Sequence, residues 1–225
     1  MKTALAIIIA ITSTAALFFA PIFGLLGSIV AITLMFGIPL LYYRRKKAAF
    51  ADVLLEGRPW LAQIGWGFAL MLVMMVLAVS AISFLAMAFN MSFLELLRIA
   101  IGWQPNILYA LIIIGFGEEL FFRGYILDML KDASKSKWLA IGLSSLLFGL
   151  AHFQLGILHP DFAYYAGVSA HFATVAMWGN IAFCIAVGVL LASARIFLKN
   201  VTLLSLSIAH GFYWIIMPLI MKGQI

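Results

Sequence analysis

A succession of long apolar runs constrains this chain more than any other feature. A helix needs about 20 mostly apolar residues to cross the hydrocarbon core of a bilayer. Runs that approach this length lie at about 4–20, 22–43, 60–89, 105–127, 138–153, 171–197 and 201–221. In lipid, a helix satisfies its backbone polar groups internally. We therefore predict an all-α fold, a polytopic transmembrane helical bundle of about seven helices in a single domain over 1–225.

The charge and cysteine content exclude several other classes of protein. The chain is 66% hydrophobic and only 10% charged, which excludes an ordinary soluble globular fold. Its net charge of +6 comes from basic residues that lie between the apolar runs rather than in one patch, so we predict no nucleic-acid partner. Cys184 is the single cysteine, and it permits no intrachain disulfide.

The basic residues also predict an orientation in the cell membrane, because cytoplasmic loops carry most lysines and arginines. With a cytoplasmic N-terminus, twelve of the 14 basic residues fall on or toward the cytoplasmic side. Arg98 and Lys222 fall outside. This asymmetry predicts an odd number of crossings and an outside C-terminus. The first run resembles a signal peptide, but without an obvious cleavage site we expect a retained helix.

A few ionisable residues interrupt the apolar runs. Glu118, Glu119 and Arg123 lie in the stretch "GEELFFRG" of the fourth run. His152 lies near the end of the fifth run, and His210 lies within the seventh. Such groups are costly at membrane depth and usually face the interior or a water-filled cavity. At ~1.5 Å of rise per residue, the sequence places Glu118, His152 and His210 roughly 14 to 21 Å from the predicted cytoplasmic ends of their helices, near Asp128, Trp138 and Val201. It therefore permits one shared polar pocket.

The spacing within the fourth run suggests different roles for the two glutamates. Glu119 and Arg123 are four residues apart, which favours an ion pair on one helix face. Glu118 is rotated about 100° away in an α-helix and is left free to face the pocket as a general base. A packing network without chemistry is the alternative.

Each histidine has an aromatic residue one turn away. Phe148 and His152 share a face in "FGLAHF", so the phenylalanine is expected to pack beside the imidazole and exclude water. His210 is followed one turn later by Trp214 in "IAHGFYW". One histidine on an apolar helix is usually a packed core residue. Here there are two histidines, and both are expected at a depth in the bilayer where they could meet Glu118. This combination favours a catalytic site.

These motifs resemble those of a known family. "EELFFR" is similar to the EExxxR motif, "FGLAH" to FxxxH, and "IAHGFYW" to most of the HxxxN motif of the CPBP family of intramembrane endopeptidases, also called the Abi or CAAX-protease family. The motifs follow in the family's order over 117–214. The resemblance implies a glutamate-dependent peptidase with a site open toward the cytoplasm, and a motif-bearing core at about 105–221.

By the same resemblance, each motif residue takes a role. Glu118 and His152 would activate a water for attack on the scissile carbonyl, with Glu119 and Arg123 in support. His210 would stabilise the oxyanion. The substrate would be a peptide or protein that reaches the bilayer from the cytoplasmic side. Members act on prenylated C-terminal motifs, peptide pheromones or bacteriocin precursors, and the sequence does not select among these or predict an oligomeric state.

One position departs from the family pattern, because Trp214 stands where the last motif has asparagine. Loss of one oxyanion donor costs on the order of a hundred- to a thousandfold in rate. The indole N–H of Trp214 is one substitute donor, and Asn180 in the sixth run is another. The alternative is a catalytically impaired member that acts as a membrane scaffold or bacteriocin-immunity protein.

A metal is the remaining question at this site. Glu118, His152 and His210 form a possible zinc set with an open fourth position, which would leave Glu119 as the base. We favour water activation without a cofactor, because the glutamate and histidine assignment carries over intact.

Three further features are not expected to take part in the chemistry of this site, although the first would form part of its wall. Gly142, Ser145 and Gly149 recur at helical spacing, so we expect them to let neighbouring helices approach closely. His159 and His171 belong to a predicted outer loop and its edge. The stretch 90–100 has the pattern of an interfacial or linker helix.

Overall fold

The computed structural model describes residues 2–19, 24–88, 90, 92, 106–152 and 170–221. Every regular element in these ranges is a helix, so the all-α fold class is confirmed. The stretch 90–100, apart from Asn90 and Ser92, and the outer loop with His159 lie outside the described residues.

The helices follow the apolar runs. They are α1 (Lys2–Phe19), α2 (Gly24–Arg45), α3 (Phe50–Leu55), α4 (Trp60–Ala88), α5 (Tyr109–Ile126), α6 (Leu127–Ser134), α7 (Lys137–Ala151), α8 (Ala170–Phe197) and α9 (Leu203–Met221). Each predicted run corresponds to one long helix. The prediction missed the short α3, and it ended the fourth run before α6, which continues α5 without a break.

Three of the described helices are long and apolar enough to cross a membrane, namely Gly24–Arg45, Trp60–Ala88 and Met177–Phe197. Shorter apolar helices occur at Lys2–Leu17, Lys137–Ala151 and Leu203–Met217. The structure thus supports a membrane bundle, while the count of about seven crossings and the division into one domain with a motif-bearing core stay predictions.

Polar residues mark the ends of several helices. Arg44 and Arg45 lie in the last turn of α2. Cations at this end of a helix interact favourably with the helix dipole. Glu56 ends α3 in a left-handed conformation, with its N–H donating to the Asp52 carbonyl. At the start of α7, the Ser136 hydroxyl accepts the N–H of Leu139 at 3.2 Å, which is an N-cap.

Helix α5 lies at the centre of the bundle. It packs against α2, α7 and α9, and α9 in turn lies between α5 and α4. Helix α8 packs on α7, and α1 contacts α2, α6 and α7. The outer surface is apolar, with residues such as Leu25 and Val76 largely exposed, as expected for contact with lipid.

Two glycines show how closely α5 and α9 approach. A Cβ at Gly115 would lie 2.7 Å from the Ser207 carbonyl oxygen and 2.8 Å from Cα of Gly211. Real Cβ atoms do not come this close to backbone, so only glycine fits. Gly115 is one turn before Glu119, and Gly211 follows His210. This approach therefore brings the side chains of Glu119 and His210 together.

The predicted small-residue face of α7 is correct at two of its three positions. A Cβ at Gly149 would lie 2.3 Å from Ile185 of α8, and Ser145 lies against Gly188. Gly142 has nothing within 4 Å of its Cβ position. The prediction was wrong there because Gly142 lies on the exposed side of α7.

Candidate active site

Glu119 is the most enclosed group of the site. Its side chain is 0% exposed, and that of Arg123 is 1% exposed. Arg123 Nη1 donates to Glu119 Oε1 at 2.8 Å, so the ion pair expected from the spacing is present. His210 Nδ1 lies 2.8 Å from the same oxygen. Glu119 therefore joins α5 to α9, a contact that the sequence did not predict.

Glu118 faces a different histidine. Its Oε2 atom lies 3.9 Å from His152 Nε2, which is too long for a direct hydrogen bond. His152 Nδ1 lies 2.8 Å from the Phe148 carbonyl oxygen and must donate to it, since a carbonyl only accepts. In a neutral ring, Nε2 is then an acceptor directed toward Glu118. A water about 2.8 Å from both atoms would bridge them.

Phe148 packs between the two glutamate–histidine pairs. Its ring centroid lies 4.5 Å from that of His152 and 5.9 Å from that of His210. Cζ of Arg123 lies 3.8 Å from the same centroid, within the range of a cation–π contact. The phenylalanine therefore packs beside His152 as expected, and it also supports Arg123 and His210.

Three polar atoms of α5 are buried without a hydrogen-bond partner among the described residues. They are Glu118 Oε2, Glu119 Oε2 and Arg123 Nη2. A buried polar atom without a partner costs about 1–3 kcal/mol. Their concentration around two catalytic candidates is typical of a site that binds water or polar groups of a substrate.

Helix α5 differs from the α-helix that the sequence reasoning assumed. It is wound as a π-helix, and the N–H of Leu127 at its end reaches the carbonyl of Phe122, five residues back. Such winding is rare and is frequent at functional sites. In a π-helix the rotation about the axis from one residue to the next is smaller than the 100° of an α-helix. Glu118 and Glu119 therefore point in more similar directions than the sequence reasoning expected. No pattern in the sequence indicated it.

Cys184 is a site neighbour that the sequence reasoning missed. Its thiol on α8 is buried and lies near the His152 imidazole. Cys184 Sγ also lies 3.9 Å from Oδ1 of Asn180, so Asn180 is one turn from a residue that contacts the site. A lone cysteine in an apolar run gave no signal of this position.

The other predicted residues lie at the margins. Trp214 is half-buried one turn after His210 on α9, and its ring centroid lies 6.0 Å from that of Tyr213. His171 lies in the first turn of α8. The roles assigned to all of these residues stay predictions.

The proposed zinc set does not converge. Glu118 and His152 face each other, whereas Nδ1 of His210 is bound to Glu119. Within the described ranges, no group of three or more His, Cys, Asp or Glu side chains is placed to hold a metal ion. A catalytic zinc takes three protein ligands. As arranged, these side chains do not fit it, and the metal requirement itself stays an open prediction.

The fold and the buried Glu–His–Arg cluster define a class, that of helical membrane proteins with an enclosed polar centre. A family model described as type II CAAX prenyl endopeptidase Rce1-like matches residues 100–216, which is more than half of the chain and includes Glu118, His152 and His210. The chain therefore belongs to the Rce1-like CAAX prenyl endopeptidase family, which is the CPBP or Abi family of the sequence resemblance. Neither the curated proteins nor the solved structures gave a match.

Family membership has two consequences. It indicates a CAAX-protease-like enzyme. Together with the apolar helices, it indicates a multi-pass membrane protein.

Proposed function

We propose that the protein is an intramembrane endopeptidase that hydrolyses a peptide bond with a water activated by Glu118 and His152, without a metal. The observation that supports it best is the pair of atoms Glu118 Oε2 and His152 Nε2, 3.9 Å apart. Both are hydrogen-bond acceptors when the histidine is neutral. A water between them donates one hydrogen to each and directs its lone pair away from both, toward a substrate carbonyl.

The proposed reaction has two steps. The water oxygen forms a bond to the scissile carbonyl carbon as one of its protons passes to Glu118, which gives a tetrahedral oxyanion. The C–N bond then breaks, and the same proton passes to the leaving amine. The carboxylate returns to its starting form, so atoms and charges balance.

His210 is the proposed oxyanion donor, in line with the family motif. Its Nδ1–H donates to Glu119 Oε1, which fixes the ring, and Nε2 donates to the oxyanion when the ring is an imidazolium, in which both nitrogens carry hydrogen. The buried Arg123 holds Glu119 from the other side. Donors fixed before the reaction stabilise an oxyanion without reorganisation. Asn180 and Trp214 are candidates for the donor that the missing asparagine would supply.

The proposed substrate is a peptide or protein that enters from the cytoplasmic side, with the N-terminus cytoplasmic and the C-terminus outside. The name of the family refers to prenylated CAAX peptides, and this makes a farnesylated CAAX peptide the first probe. Pheromone and bacteriocin precursors are further candidates.

The test compares Glu118→Gln and His152→Ala with the wild type in membrane vesicles. The readouts are cleavage of an internally quenched farnesylated CAAX peptide and mass spectrometry of peptides released from the host membranes. General acid–base groups contribute about 10²- to 10⁴-fold, so both variants should lose at least about a hundredfold in rate. Asp132→Asn changes an exposed carboxylate of α6 and should keep full activity.

A chelator added to the wild type should leave the rate unchanged. Undiminished cleavage by Glu118→Gln would reject the proposed base, and inhibition by the chelator that zinc reverses would reject metal-free activation.

The second candidate is a catalytically impaired member that acts as a scaffold or immunity protein. Trp214 in place of the family asparagine favours it. If this is correct, Glu118→Gln should leave the biological phenotype of the protein intact and no released peptide should depend on Glu118.

A further inference from the structure

Arg195 of α8 is a buried arginine outside the catalytic motifs, and its side chain is 9% exposed. The guanidinium pairs with Glu56 at 3.0 Å and with Asp128 at 3.0 Å. Its Nη1 donates to the main-chain carbonyl of Arg123. One side chain therefore binds the end of α3, the first turn of α6 and the backbone of the catalytic helix α5.

The Arg123 carbonyl lies at a break in the hydrogen-bond pattern. Four residues later the chain changes from π to α winding, because α5 ends at Ile126 and α6 begins at Leu127. The N–H of Leu127 donates to the carbonyls of Phe122 and Gly124, so it passes over the carbonyl between them. Arg195 supplies a donor at this point. A planar guanidinium with several N–H groups suits the task of bonding a carbonyl and two carboxylates together.

The carboxylate at the centre of this contact is itself firmly held. Asp128 accepts the Tyr43 hydroxyl at 2.8 Å and Lys131 Nζ at 3.1 Å. Arg195 is therefore bound to a group that α2 and α6 fix in place. Because Arg195 also binds the Arg123 carbonyl, the end of α5 is held in a fixed position relative to Asp128.

Arg123 connects this anchor to the reacting groups. Its side chain binds Glu119, which holds His210, and it lies against Phe148, which packs on His152. A rotation of the backbone at Arg123 would therefore shift both glutamate–histidine pairs. Displacements of about 1 Å caused far from the chemistry can cost a hundredfold in rate.

We propose that Arg195 is a positioning residue of this enzyme, which fixes the backbone of α5 at Arg123, just before the π-to-α junction, and so holds the two glutamates in register with His152 and His210. The inference rests on the proposed peptidase function for its kinetic consequence, but the anchor itself is a structural claim that can be measured without a substrate.

The experiment uses the full chain, purified in detergent, as wild type, Arg195→Gln and Arg195→Lys. Lys46→Gln is the matched control, because it also removes a cation from the same end of the bundle, but one that pairs with the exposed Asp132. Amide hydrogen exchange is followed in peptides that cover 119–128. Cleavage of the farnesylated CAAX peptide gives kcat and KM, with Glu118→Gln measured in parallel.

We expect faster exchange in 119–128 for Arg195→Gln and no change for Lys46→Gln. We also expect kcat to fall up to about a hundredfold at unchanged KM, because binding is retained while alignment is lost. Arg195→Lys should keep part of both effects, since an ammonium cannot reach all three acceptors at once. If Arg195→Gln does not accumulate, Arg195→Lys and Glu56→Gln provide the same two readouts.

Unchanged exchange in the Arg195 variants would overturn the anchor. Raised exchange with unchanged kcat, while Glu118→Gln is inactive, would overturn the positioning role. Full activity of Glu118→Gln would instead reject the proposed function. The exchange data would then still test whether Arg195 fixes the backbone at Arg123.

Discussion

At the scale of single residues, the two adjacent glutamates have different surroundings. Glu119 is enclosed and shares one oxygen between Arg123 and His210, whereas Glu118 is partly exposed and faces His152 across 3.9 Å. A carboxylate held by two donors is suited to fixing other groups. One that faces the acceptor nitrogen of a neutral histidine across 3.9 Å is suited to taking a proton from a water between them. The structure therefore gives each glutamate the surroundings that its proposed role requires.

Arg123 is expected to matter for stability as well as for the site. Its replacement by methionine leaves Glu119 buried with one partner fewer, and breaking a buried ion pair on one side costs about 3–5 kcal/mol. We expect Arg123→Met to lower the free energy of unfolding by about this amount, measured by denaturation in detergent. The double variant Glu119→Gln, Arg123→Met should lose less. Equal losses for the single and double variants would contradict the interpretation.

Sequence reasoning reached some of these contacts and not others. The Glu119–Arg123 pair was predictable because helical spacing alone places residues four apart side by side. The bond between His210 and Glu119 spans 91 residues, and it depends on the contact of α5 with α9 at Gly115 and Gly211. No local pattern contains that information. The neighbourhood of Cys184 depends in the same way on how α8 packs.

At the scale of the elements, tight packing of α7 on α8 positions His152. Gly149 lies three residues before His152, and it has Ile185 and the Ile181 carbonyl against the place where a Cβ would be. Both of these belong to α8. The end of α7 is therefore fixed in place where it carries His152.

A pair of glycine substitutions on α7 tests this contact. Gly149→Ala places its Cβ 2.3 Å from Ile185 and should lower the free energy of unfolding by about 1–3 kcal/mol through overpacking. Gly142→Ala, on the open side of the same helix, should leave stability unchanged or raise it, since alanine is the better helix former. Thermal unfolding in detergent compares the two. Equal losses would show that the interface is not tight at Gly149.

At the scale of the whole molecule, the sequence predicted the long helices well because each is an apolar run of characteristic length. The short helix α3 and the continuation α6 were missed because both are too short or too polar for that signal. Their residues nonetheless matter. Glu56 follows α3 and Asp128 begins α6, and both bind Arg195.

The proposed orientation can be tested on the intact chain. A reporter that is active only in the cytoplasm, fused after Lys47, should be active, because the basic residues 44–47 lie at the end of α2 and just after it, on the predicted inner side. The same reporter fused after the last residue should be inactive, and a reporter active only outside should show the reverse. Activity of the cytoplasmic reporter at both positions would contradict an odd number of crossings.

The lengths of the helices differ across the bundle. At ~1.5 Å per residue, the 15 residues of α7 span only about 22 Å, and the 29 residues of α4 span about 44 Å. The hydrocarbon core is ~30 Å thick, and lipid beside a short helix thins to match it. We therefore expect the bilayer to be locally compressed beside α7, which shortens the distance from the aqueous phase to Glu118.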